Sequence, residues 1–254
     1  MGWAYVILGV VAFVTAMISA VIGMGGGMML LAVLFCFLRH AEAIPTHAAV
    51  QIVSNSTRSM IFIRAVDWRT LGRFILGAVP GGAVGIGLRW GLGPPEASEP
   101  YFKLLVGAYI LVAVCLPKPK KRDAASGTWW DFPLLGVVAG AAALTVGAVG
   151  PLIAPLFARR AFVKERLIAT KALCQTFLHL VKIPAFVLFG GIDYAKLGLL
   201  ALVLAVLVVP GTLLGKRLLR HVSEANFVRF YKAALLVAGT KVLIVDGMWT
   251  ILFA

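Results

Sequence analysis

A chain of 254 residues that is 61% hydrophobic, only 13% charged and has a mean hydropathy of +0.98 lacks the polar surface of a water-soluble globule. Several windows reach the roughly 20 apolar residues that a spanning helix needs, and none alternates polar with apolar residues as a barrel strand does, so the expected fold is all-α and polytopic. The formal charge of +14 fits basic loops on one side of a bilayer better than a nucleic-acid partner, and Cys36, Cys115 and Cys174 have no spacing that suggests a metal or a redox pair.

In chain order, apolar segments run over about 3–22, 28–38, 44–63, 71–88, 101–116, 132–146, 151–158, 167–189, 197–214 and 233–253. No basic residue precedes the first and no small-residue cleavage site follows it, so it is expected to be retained as structure. The segments 28–38 and 151–158 are too short to span, and each follows a break: Gly23-Met24-Gly25-Gly26-Gly27 and Gly147-Ala148-Val149-Gly150-Pro151. They could be re-entrant or parts of broken spans.

A shift of 124 residues places Gly23 on Gly147, Gly26 on Gly150, Thr46 on Thr170, Ala48 on Ala172 and Gln51 on Gln175 without a gap. After small insertions Asp67-Trp68 matches Asp193-Tyr194, Pro80-Gly81 and Gly85 match Pro210-Gly211 and Gly215, and Lys103 matches Lys232. The chain therefore reads as one membrane domain, 1–254, built by internal duplication: a first repeat 1–116, a polar linker 117–128 on the cytoplasmic side, and a second repeat 129–254. If each short segment turns back as a hairpin, one face collects sixteen loop cations and the other four; if each crosses once, the loops split twelve to eight. The steeper bias favours hairpins, both termini outside the cytoplasm and two halves of opposite orientation. Trp3, Trp68, Trp90, Trp129, Trp130 and Trp249 all fall at segment ends, where an amphipathic ring prefers the headgroups.

Four cations remain inside segments: Arg58, Lys171, Lys182 and Lys241. A cation near mid-bilayer costs at least about 2.5–3.5 kcal/mol, so it is expected to face a cavity or a partner. Lys241 can pair with Asp246 or snorkel, and is set aside. The others belong to matching stripes, His47, Gln51, Asn55 and Arg58 in one half and Lys171, Gln175, His179 and Lys182 in the other, at intervals of 4, 4 and 3 that put each set on one helix face. Stripes that only glued helices together would balance donors with acceptors. These carry cations and no anion, which points to a visiting anion.

The breaks serve the same purpose. A helix restarting after Gly25-Gly26-Gly27, or at Gly150-Pro151, points free N–H groups and the positive end of its dipole into the protein, and glycine allows close approach. Paired breaks in two inverted halves are a sequence pointer to a transporter site. Tight packing through small residues is the competing reading of the glycines alone.

The stretches "ISAVIGMGGGMMLLAVLF", "IPTHAAVQIVSNSTRSM" and "VDWRTLGRFILGAVPGGAVGIGL" resemble the TauE/SafE family of sulfite exporters, a likeness that covers essentially the whole chain. The resemblance implies a multi-pass carrier of the bacterial inner membrane, linked to export of sulfite, sulfoacetate and related organosulfonates, with a binding role for Gly23, Gly25, Gly26 and Gly27. The expected function is thus export of a small anion by alternating access, with Arg58, Lys171 and Lys182 as counter-charges, Gln51, Asn55, Gln175 and His179 as hydrogen-bonding partners, and Gly147 and Gly150 at the second break. No carboxylate lies at mid-membrane to couple a proton or Na⁺, so His47, His179 or the membrane potential must serve. No enzyme motif, cofactor or metal set is legible; the alternatives are an intramembrane enzyme acting on a lipid-linked phosphate and a non-transporting membrane subunit.

Overall fold

The computed structural model describes residues 2–22, 25–91, 95–115, 128–160, 162, 164–190, 194–218, 232–233, 235–237 and 239–253, and among them the regular structure is helical. Gly23, the linker up to residue 127, Asp193, Arg220 and Arg229 lie outside the described residues. In chain order the helices are α1 (Gly2–Ile22), α2 (Gly26–Phe37), α3 (His40–Ile61), α4 (Trp68–Trp90), α5 (Pro95–Cys115), α6 (Asp131–Thr145), α7 (Gly150–Arg159), α8 (Lys164–Gly190) and α9 (Tyr194–Leu218), with a C-terminal stretch in which a π-helix, Lys241–Trp249, runs into Thr250–Phe253.

Six of these are long and apolar enough to cross a membrane: α1, α4, α5, α8, α9 and the C-terminal stretch Leu235–Leu252. Their outward residues are bare hydrocarbon; on α9, Leu199, Leu202, Val206 and Leu213 are about half exposed or more, a helical spacing suited to lipid. α3 is 22 residues long but is not one of the six, because its polar stripe dilutes its hydropathy. At ~1.5 Å per residue, the 12 residues of α2 and the 10 of α7 reach only about half of a ~30 Å hydrocarbon core.

Each short helix sits in an apolar cluster of its own. Leu30, Leu31 and Leu34 of α2 pack with Ile44, Val50 and Ile110, and Ile153 and Phe157 of α7 pack with Phe74, Phe132 and Leu178. Phe157 meets Phe132 edge to face at 5.3 Å.

The long helices pair by backbone approach: α4 lies along α6, α1 along α9, and α3 against α8 and α9. Helix association in lipid has little hydrophobic drive and depends on close packing, which small residues permit. A β-carbon on Gly77 would stand 1.8 Å from the Pro133 carbonyl oxygen, one on Gly81 2.2 Å from that of Val137, and one on Gly85 2.9 Å from that of Ala141. Along α1, β-carbons on Gly211 and Gly215 would each come within 2.4 Å of the carbonyl oxygens of Phe13 and Met17.

Asp67 caps α4, its Oδ1 accepting the Thr70 N–H at 3.0 Å, while its own N–H donates to Thr170 Oγ1 on α8 at 2.9 Å. Burial disfavours the Asp67 carboxylate, but the Thr70 N–H and an ion pair with Arg166 outweigh it and hold its pKa below the ordinary value. At the C-terminus Lys241 Nζ pairs with Asp246 Oδ2 at 2.8 Å, the wider π-helical turn bringing residues five apart together. Lys241 thus has its own carboxylate.

The glycine contacts give a direct test. Gly81→Ala is expected to lower the melting temperature by several degrees, since the added carbon meets backbone rather than a movable side chain. Gly87→Ala, with nothing within 4 Å, should leave it unchanged or higher, as followed by detergent-solubilised size-exclusion chromatography after heating.

Candidate functional site

The two chain breaks meet. Gly25 has φ 98° and Gly147 has φ 89°, a left-handed conformation that only glycine adopts without penalty; Gly25 immediately precedes α2, and Gly147 lies between the end of α6 and the start of α7. Neither start has a side-chain cap: Gly25 precedes α2 and Val149 precedes α7, with Pro151 in the first turn of α7. The first-turn N–H groups of both helices therefore remain for a ligand or for water.

Both starts border one small cavity. It is lined by Ser19, Gly25, Gly27, Met28, His47, Gln51 and Arg58 from the first half of the chain, and by Ala148, Val149, Gly150, Pro151, Gln175 and His179 from the second. Its volume of about 20 Å³ compares with the roughly 10–15 Å³ that a single water molecule requires, so this conformation is closed around a space too small for a sulfur oxyanion.

The stripes supply its polar wall. α3 and α8 run antiparallel, with Ser59 Oγ donating to the Ala169 carbonyl at 3.2 Å at one end and the His47 and His179 rings in edge contact at 5.3 Å farther along. The side-chain amides of Gln51 and Gln175 lie beside the first turns of α2 and α7: a β-carbon on Gly27 would be 3.1 Å from Gln51 Oε1, and one on Gly150 3.2 Å from Gln175 Nε2.

The cations are held by neutral oxygens. Arg58, 4% exposed, donates to Asn55 Oδ1 and, at 3.3 Å, to the Ser54 carbonyl. Lys182, fully buried, donates to the Gly147 carbonyl of the second break and lies 3.2 Å from His179 Nδ1. Among the described residues neither makes an ion pair; the pairs present join Lys103 to Glu99, Arg160 to Asp131, Arg166 to Asp67 and Lys241 to Asp246. Lys171, 1% exposed, lies within electrostatic reach of Arg58. The charge at the junction is hydrogen-bonded but not neutralised.

Of the residues singled out by sequence, Gly25, Gly27, Gln51, Arg58, Gly150, Gln175 and His179 line the cavity. Asn55, Gly147, Lys171 and Lys182 stand one layer behind it, and Gly23 lies outside the described residues. Gly26 is a packing position, where a β-carbon would lie 1.9 Å from the Thr15 carbonyl oxygen of α1. Ser19 and Met28 also reach the lining; Ser19 has one polar neighbour at helical spacing, Thr15, a pair too short to stand out as a stripe in an apolar run. His47 was visible as the first member of its stripe.

A larger cleft of about 370 Å³ lies between the start of α4 and the turn before α6, bordered by Asp67, Arg73, Trp129 and Arg160. Size does not make it the better candidate. Its cations are already engaged, Arg160 by Asp131 at 2.6 Å and Arg73 stacked 5.5 Å over Trp129.

Gly147→Ala tests the geometry of the break. Forcing an alanine to φ 89° and its methyl against Leu31 is expected to cost about 1–2 kcal/mol, seen as a lower melting temperature; an unchanged value would mean that the break is not held in this conformation.

Comparison with known families gives a match to the sulfite exporter TauE/SafE family over residues 8–242. No curated protein and no solved structure matches the chain.

Proposed function

From the chain's membership of the sulfite exporter TauE/SafE family, shown by the match over residues 8–242, we propose that this multi-pass membrane protein exports sulfite or a small organosulfonate by alternating access at the cavity between its two breaks. The observation that carries the reading is that two buried basic side chains flank the cavity, Arg58 on its wall and Lys182 behind His179, each tied to neutral oxygens and unmatched by a carboxylate among the described residues. An anion would neutralise that charge and accept the free N–H groups of α2 and α7. Export of an anion from an inside-negative cell runs downhill in potential.

Two inverted repeats related by an approximate two-fold axis between α3 and α8 account for the packing. Gly81 over Val137 and Gly85 over Ala141 on α4 and α6 correspond to Gly211 over Phe13 and Gly215 over Met17 on α9 and α1. The Arg58–Asn55 bond likewise corresponds to the Lys182–His179 contact, each pair 124 residues from its counterpart. Such exchange of partners supports duplication, and the internal symmetry supports a carrier that opens to either side by rocking one half on the other. With the first repeat at 1–116 and the second at 129–254, both termini lie outside the cytoplasm in this reading, and the membrane is the bacterial inner one.

An intramembrane enzyme is less well supported. Ser19 is the one hydroxyl on the cavity wall, and among the described residues no hydrogen bond joins it to His47 or His179.

Reconstitution into liposomes tests the proposal. Arg58→Ala and Lys182→Ala are each expected to reduce sulfite flux at least about tenfold, the loss of one charge-assisted hydrogen bond, while membrane insertion is retained. Unchanged flux in both variants would remove the two cations from the transport site. A thermal-shift panel of sulfite, thiosulfate, sulfoacetate, taurine, sulfate and phosphate then ranks the ligands.

A further inference from the structure

We infer that the cavity is built for an oxyanion that arrives with its own proton, hydrogensulfite above all, and that His47 is the residue that selects it. The inference rests on the anion-carrier reading above and narrows its substrate.

The geometry at His47 assigns the tautomer. Nε2 lies 2.8 Å from the Gly27 carbonyl oxygen, which can only accept, so Nε2 carries the hydrogen and Nδ1 presents a lone pair. His47 is 1% exposed and lines the cavity, and its Nδ1 is buried with no partner among the described residues. Across the contact between the rings, His179 has the opposite arrangement: its Nδ1 faces the Lys182 ammonium, so its hydrogen sits on Nε2.

The rest of the wall gives hydrogen bonds. The first turns of α2 and α7, the amides of Gln51 and Gln175, and Arg58 all supply donors to an oxyanion. An anion seated there finds donors on these groups, whereas His47 Nδ1 offers only a lone pair, and lone pair facing lone pair is repulsive. A hydroxyl on the ligand removes the conflict by donating to Nδ1. Hydrogensulfite has one; a sulfonate at neutral pH has none and would have to draw a proton from water onto Nδ1. In both cases one anion and one proton occupy the site, with no bond made or broken beyond the proton's own.

Other groups do not supply this proton directly. Against His47, α8 presents His179, Lys182 and, farther off, Lys171, and its own helix carries Arg58. α2 contributes the Gly27 carbonyl, with Cys36 its only titratable side chain; α5 holds Glu99 in a pair with Lys103; and α9 carries Lys216 and Arg217 in its last turn.

Calorimetric titration of the purified protein with sulfite, kept under nitrogen, and with methanesulfonate, each at pH 6 and pH 9, separates the possibilities. Sulfite is largely hydrogensulfite at the lower pH and the dianion at the higher, while methanesulfonate keeps one charge and no hydroxyl throughout. Any change in the protein's own charge therefore shows in the methanesulfonate arm. Sulfite is expected to bind about tenfold or more tightly than methanesulfonate at pH 6 and to lose that advantage at pH 9. His47→Gln, which keeps a donor for Gly27 and an acceptor in place of Nδ1, should retain the preference, and His47→Leu should abolish it. A preference that is absent at pH 6, or that persists or grows at pH 9, overturns the inference while leaving the anion site in place. Failure of sulfite and methanesulfonate to bind at either pH overturns the site itself, and this inference with it.

Discussion

Basic side chains buried in a low-dielectric interior, with no carboxylate beside them among the described residues, are the constraint on which the architecture turns. Solvating a guanidinium and an ammonium away from water requires several oxygen acceptors at fixed positions. Here they come from a side-chain amide, Asn55, and from main-chain carbonyls, those of Ser54 and Gly147. The Gly147 carbonyl is available to Lys182 because the chain leaves its helix at that point, so the break serves as acceptor for the cation and as origin of the helix that faces the cavity. Interruption and charge stabilise each other.

This mutual dependence also explains the division between two layers of residues. Groups that border the cavity, such as Gln51, Gln175 and the helix starts, are neutral donors with modest desolvation. The basic side chains of Lys182 and Lys171 are buried and do not take up space in the lining. Arg58, with its long fork, reaches the wall itself.

Part of this arrangement could be read from the sequence, because helical periodicity is a one-dimensional signal. The stripes at intervals of 4, 4 and 3 do lie on facing surfaces of α3 and α8, and the two short segments are the short helices α2 and α7. What could not be read was which glycine does what. Gly25 and Gly147 need a positive φ and Gly26 yields to the backbone of α1, yet nothing in the sequence sets them apart from the other glycines of the two breaks. Ser19 escaped for a related reason: with only Thr15 at helical spacing it forms no stripe, and the crossing of α1 with α2 brings it to the cavity.

The close pairing of α1 with α9 sets the order in which the molecule can be made. α1 leaves the ribosome nearly two hundred residues before the helix into whose glycine notches it fits. Until then α1 lies beside α2 with the flank that α9 will cover still facing lipid. Closure of the bundle is therefore paced by the arrival of α9, and a ribosome that stalls before it leaves α1 without its main packing partner.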